Sequence, residues 1–107
     1  MSVNEAAIDL STRGTLPASW GWSEPLDLAP THELRRLVVS PYAAIDALCR
    51  TDQDVHWVIV CGEATVVLGT AEHDLDTGDA VCIPRGVRHA VRNQRADAVV
   101  MIETRIW

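Results

Sequence analysis

Residues 78 to 93 read Gly-Asp-Ala-Val-Cys-Ile-Pro-Arg-Gly-Val-Arg-His-Ala-Val-Arg-Asn, and no other stretch constrains the fold as much. Gly78, Pro84, Gly86, His89 and Asn93 are its anchor positions. Gly78-Asp79 suits a turn that feeds the chain into a strand. Pro84 ends that strand where no ladder donor is needed, and Gly86 permits a sharp reversal. His89 then opens a following strand, from which its side chain can point into a core. A turn, a short strand, a reversal and a second strand within sixteen residues belong to an all-β architecture.

The rest of the chain agrees. From Glu33 on, short runs of Val, Ile and Leu alternate with turn signals. The pattern predicts strands over Leu34–Val39, Ala44–Leu48, His56–Cys61, Ala64–Leu68, Ala80–Ile83, Arg88–Val91 and Ala98–Ile106. Many short strands at near-regular spacing argue for a sandwich or barrel. One stretch competes: Pro41 to Arg50 contains good helix formers behind a proline at a plausible first position, so a short helix is an alternative there. The acidic run Glu72-His73-Asp74 with Asp76 suits a hairpin tip or an edge, where charge blocks unwanted strand pairing.

The 107 residues suffice for one domain, read here as an N-terminal arm or first strand over 1–18 and a folded domain over 19–107. A net charge of −6 argues against a nucleic-acid surface and against an anionic membrane as partner. No apolar stretch approaches the ~20 residues of a membrane span, and Met1 to Leu10 lacks the pattern of a signal peptide. Cys49, Cys61 and Cys82 fit neither a redox pair nor a zinc ribbon, so the expectation is free thiols in a cytoplasmic protein.

The 78–93 stretch resembles the second motif of the cupins, jelly-roll β-barrels also described as double-stranded β-helices. Over residues 19 to 107 the chain is similar to the C-terminal cupin of type II mannose-6-phosphate isomerases, a domain often fused to mannose-1-phosphate guanylyltransferase. Trp20-Gly21, the strand Arg36-Leu37-Val38-Val39, Pro41 and the ending Val55-His56-Trp57 carry that likeness. The resemblance implies a sugar-phosphate isomerase, or a related cyclase or epimerase, and a homodimer paired through an outer sheet. Outward-facing Val58 and Val60 would need such a cover. Trp20, Trp22 and Trp107 are expected to serve packing or the subunit interface.

The same resemblance exposes a loss. Metal-binding cupins take two His (or Gln and His) and a Glu from the first motif and one His from the second. Here those first-motif positions fall on Leu48, Arg50 and Val55, or on Cys49 and Thr51 with a shorter spacing; only His89 remains. One imidazole does not hold a divalent ion, so no metal and no cofactor are expected. By alternation His56 faces away from the Val55 side, and His32 and His73 lie outside the motifs.

Strand parity groups Asp46, Leu48 and Arg50 on one face, and Val55, Trp57 and Ile59 on one face of the next strand. If both face inward, the interior holds Arg50 as an anion clamp, Trp57 as a stacking wall and His89, with Asp46 beside it. Arg85 and Arg88 would flank the mouth and steer anions. The alternative is a plugged barrel in which Arg50 pairs with Asp46 or Asp52. His89 is either a relic bonded to nearby backbone or a general acid/base, with Asp46 as partner. Three functions follow: a metal-free module binding a small anionic or sugar-like molecule, a sugar-phosphate isomerase-like enzyme, or a structural or regulatory dimerisation domain.

Overall fold

The structure is a computed structural model that describes residues 15–107; the reading of an N-terminal arm falls mostly on residues outside that range. Ten strands follow one another: β1 Leu16–Ala18, β2 Gly21–Leu28, β3 His32–Val39, β4 Ala44–Leu48, β5 Asp54–Cys61, β6 Ala64–Leu68, β7 Ala71–Leu75, β8 Ala80–Ile83, β9 His89–Arg92 and β10 Val99–Ile106. They form a six-stranded sheet, β1-β2-β3-β10-β5-β8, and a four-stranded sheet, β4-β9-β6-β7. All the pairings are antiparallel. Among the described residues there is no helix. The chain is thus an all-β jelly roll, as the strand spacing led one to expect.

The helix alternative at Pro41–Arg50 does not hold, because Ala44–Leu48 pairs with β9. Backbone partners in a sheet outweigh the weak helix propensity of that stretch. Beyond the short β1, two strands lacked a legible signal. β2 contains Pro25, tolerated beside a register shift between Pro25 and Asp27. β7 is almost wholly exposed and polar, since it forms the edge of the smaller sheet. Its Glu72, His73 and Asp74 therefore hold the charged edge anticipated for them.

Alternation builds the core. Val55, Trp57 and Ile59 on β5 are buried, as are Leu37 and Val39 on β3 and Val99 and Met101 on β10. From the facing sheet come Ile45, Val66 and Val91. Burying each such large apolar side chain contributes roughly 1.5–3 kcal/mol. Gly21 lets two strands meet: at φ +145° a Cβ there would lie 1.9 Å from the Val38 carbonyl oxygen.

One end of the sandwich is tied by a single amide. Asn93, buried just after β9, donates from Nδ2 towards the carbonyls of Val39 (3.1 Å), Ser40 (3.1 Å) and Asp97 (2.8 Å). Its Oδ1 accepts from the Arg95 N–H at 3.0 Å. The last residue of the motif thus joins the β3–β4 and β9–β10 turns.

Candidate functional site

The opposite end gathers the chemistry. There the C-terminal ends of β4, β8 and β10 meet the N-terminal ends of β3, β5 and β9. His89, the first residue of β9, is 2% exposed and so points into the barrel. Its Nδ1–H donates to the Val87 carbonyl at 2.9 Å. In the neutral ring this leaves a lone pair on Nε2, which is buried and has no hydrogen-bond partner.

What surrounds that lone pair decides whether a metal fits. Leu48 and Leu68 lie directly across from His89 on its two neighbouring strands. Residues directly opposite in an antiparallel pair share a face. Trp57 meets the imidazole edge-on, with ring centroids 5.3 Å apart. Val55 is buried where the first cupin motif would place its carboxylate. Leucine, valine and indole offer no metal donors, and no group of three or more His, Cys, Asp or Glu gathers among the described residues. The donor set does not fit a divalent ion.

Asp46 is not where parity placed it. Ile45 pairs with buried Val91, and Leu48 pairs with His89, so three residues of β4 span two of β9. This bulge breaks the two-residue period, and Ile45 and Leu48 take the inner face. Asp46 is exposed and does not accompany His89.

Arg50 lies in the β4–β5 connection, partly buried. Its carbonyl accepts from the Gly86 N–H at 2.7 Å, which ties this loop to the Pro84–Gly86 turn. Its Nε is buried without a partner, as is Gln53 Oε1 three residues on. Among the described residues no ion pair joins Arg50 to Asp46 or Asp52. An unpaired buried polar group costs ~1–3 kcal/mol, so three at one end of a small barrel are a substantial standing cost.

Arg85 sits on the rim and is engaged. Its backbone N–H donates to Asp54 Oδ1 at 2.9 Å, and its guanidinium approaches the same carboxylate at 3.3 Å. These hydrogen bonds hold the Asp54 carboxyl below the usual carboxylate range. Arg88 is exposed.

Trp57 is not the stacking platform expected of it. It is 1% exposed, and its Nε1–H donates to Glu103 Oε2 at 2.8 Å. Glu103 is itself buried, and its other oxygen accepts from Arg105 Nε at 2.8 Å. Arg105 approaches Glu33 at 3.7 Å, Glu33 accepts from Arg35 at 2.7 Å, and Arg35 donates to Ser23 at 2.9 Å. Half of the inner positions of β3 and β10 are thus a charged network of Glu33, Arg35, Glu103 and Arg105. No motif singles out any of the four. A signal was present: Glu33 and Arg35 share parity with Leu37 and Val39, and Glu103 and Arg105 with Val99 and Met101. Charges continuing the core face of a strand mark a polar interior.

Two surface clefts flank the barrel. One of about 440 Å³, mostly apolar, runs beside the rim past His56, Cys82 and Ile106. The other, about 350 Å³, opens at the Asn93 end, where Glu63 pairs with Arg95 and Thr65 donates to Asp74. Neither contains His89. The three cysteines are exposed and unbridged. No helix among the described residues is long and apolar enough to cross a membrane.

Comparison with known proteins agrees with this architecture. The mannose-1-phosphate guanylyltransferase of Salmonella montevideo is 29% identical over 86 residues, 80% of this chain and 18% of its own. The xanthan biosynthesis protein XanB of Xanthomonas campestris is 27% identical over 84 residues, again 18% of its length. The chain therefore spans less than a fifth of these relatives. Among solved structures, the Schizosaccharomyces pombe Cnp3 cupin domain superposes with a TM-score of 0.77 at 15% identity, over 79% of this chain and 63% of that one. An RmlC-like cupin from Shewanella frigidimarina gives 0.73 at 16%, over 79% and 74%. The family model for the C-terminal region of mannose-6-phosphate isomerase matches residues 8–107, and the chain belongs to that cupin family.

Proposed function

We propose that this barrel is a metal-independent receptor for a small anionic or sugar-like molecule, held where Arg50, Gln53 and His89 come to one end. One observation carries the reading: three buried polar atoms at that end have no partner in the protein. The atoms are occluded, so that end opens to admit a solute; the solute would then satisfy them, and Arg50 would anchor its negative charge. Trp57 backs His89 rather than stacking on the solute, and Arg85 would assist only by leaving Asp54.

The test uses protein purified without affinity-tag metals and kept in a strong chelator. Elemental analysis should find no stoichiometric metal, and anions and sugar phosphates should be screened for a rise in melting temperature. Arg50→Ala should weaken the best binder by about 10- to 100-fold, the worth of a charge-assisted hydrogen bond. Stoichiometric metal with a chelator-sensitive melt, or binding indifferent to Arg50→Ala, would overturn the proposal.

The unpartnered lone pair on His89 also favours a second reading, a chelator-insensitive isomerase or cyclase in which Nε2 takes a proton from a sugar phosphate. Exposed Asp46 would have no part in that step. Turnover that survives chelator and vanishes in His89→Ala would select it. The outer face of the larger sheet supports self-association as well: Val60 and Ile106 are 47% and 45% exposed there. A second copy against this face would cover them.

A further inference from the structure

The larger of the two clefts brings a thiol and an imidazole together on the outer face of the larger sheet. It measures about 440 Å³ and is mostly apolar, with Ile83, Pro84 and Ile106 among its walls. Its ionisable side chains are Asp54, His56 and Cys82. Asp54 is held by Arg85. A thiol and an imidazole fall short of the three or four donors that hold a divalent ion, so the pair is not a metal site.

The register sets the pair side by side. Val55 and Trp57 are buried on β5, so His56 between them faces outward. It stands directly opposite Cys82 on β8 and Thr104 on β10. The Ile59 N–H donates to the Asp79 carbonyl at 2.9 Å, which makes Ile59 and Asp79 a hydrogen-bonded pair. Alternation along the ladder then makes His56 and Cys82 a non-hydrogen-bonded pair, the kind whose side chains lie closer. From Cβ atoms ~5 Å apart, rotation about χ1 brings sulfur and a ring nitrogen within hydrogen-bond reach. Cys82 is exposed, and β8 is the last strand in the order of its sheet, so a reagent can approach the thiol. Cys49 and Cys61 lack this setting. Both are exposed, but neither lines either cleft. Cys61 stands opposite Val100, and Cys49 lies in the β4–β5 connection.

We propose that Cys82 is a nucleophile that captures apolar α,β-unsaturated carbonyl compounds, with His56 as its base and the cleft as the seat of their alkyl chain. The thiolate is the attacking form, so a base within reach raises the rate. Sγ bonds to the β-carbon as its proton passes to His56. The π pair of the C=C bond shifts towards the carbonyl, and the α-carbon then takes the proton back from His56. The product is a thioether; nothing leaves, and no oxidant or reductant takes part. Apolar walls suit an alkyl chain and disfavour a charged, peptide-like disulfide. The site is independent of the receptor reading, since His89 does not line this cleft.

Peptide-mapping mass spectrometry on the full chain, treated with limiting acrolein or trans-2-nonenal, tests the assignment. The two reagents share the reacting group and differ in the alkyl chain, and the protein has no lysine to compete for them. With acrolein, Cys82 should react about tenfold faster than Cys49 or Cys61, through its base. With nonenal the preference should grow by a further factor of about ten, the effect of burying roughly two methylenes. His56→Leu and His56→Gln should each abolish the first factor, keep the second, and leave the rates at Cys49 and Cys61 unchanged. Equal nonenal rates at the three thiols would overturn the proposal, and so would a preference for Cys82 that both His56 variants retain in full. A preference no larger with nonenal than with acrolein would overturn the role of the cleft.

Discussion

Asn93→Ala removes the amide that ties the end of the barrel remote from His89. Asn93 is 2% exposed, so water does not reach the groups it leaves behind. Its two N–H donors serve the Val39, Ser40 and Asp97 carbonyls, and its oxygen serves the Arg95 N–H. Counting three hydrogen bonds at about 1 kcal/mol net each gives ~3 kcal/mol, before any penalty for stranded carbonyls. In a domain of this size that loss lowers the melting temperature by about 15 °C. Asn93→Asp should be at least as damaging, because it turns the donor into an oxygen facing three carbonyls. Equilibrium urea unfolding, followed by tryptophan fluorescence, measures the change. A loss below about 1 kcal/mol at an unchanged m-value would refute the reasoning, because the three carbonyls would then have found other partners.

Three further outcomes are expected. Glu103→Ala strands the Trp57 N–H and leaves Arg105 with Glu33 alone; it should cost roughly 3 kcal/mol and shift the indole emission, both read in one denaturation series. The Asp54 carboxyl sits below its ordinary 3.8 in the folded protein, through its hydrogen bonds from Arg85. Its contribution is therefore complete above that value and lost as pH falls through the lowered one, so Asp54→Asn should lower stability by a constant amount above pH ~5 and flatten its acid limb, as acid titration of unfolding would read. Val60→Arg places a charge on the exposed outer face of the larger sheet; sedimentation should show a dimer in the parent chain and a monomer in the variant.

Seven of the strands could be read from the sequence because each alternates or carries a dense apolar run. The unread ones, β1, β2 and β7, are short, interrupted by Pro25, or exposed at an edge. The motif placed His89 and its direction correctly, since turn residues on both sides fixed where β9 begins. Asp46 was misplaced for a definite reason: a one-residue bulge in β4 reverses parity, and no residue type near it announces the bulge. The charged inner network was legible only as a continuation of core parity into Glu33, Arg35, Glu103 and Arg105. Such residues read as solvated until the strands are known to face each other. The orphaned atoms of Arg50, Gln53 and His89 depend on how the β4–β5 connection meets β9, which spacing along a chain does not encode.

The two ends of the barrel divide their labour. Asn93 secures one end, bonding the distant Val39 and Ser40 carbonyls as well as that of nearby Asp97. At the other, the β4–β5 connection is moored to the Pro84–Gly86 turn by backbone, through the Arg50 carbonyl and the Gly86 amide. A loop held by its main chain can exchange its side chains without losing its anchorage. A barrel built this way can shed one set of ligating residues and acquire another while its fold stays intact. The loop over residues 49–53 is thus the segment through which such a scaffold changes what it binds.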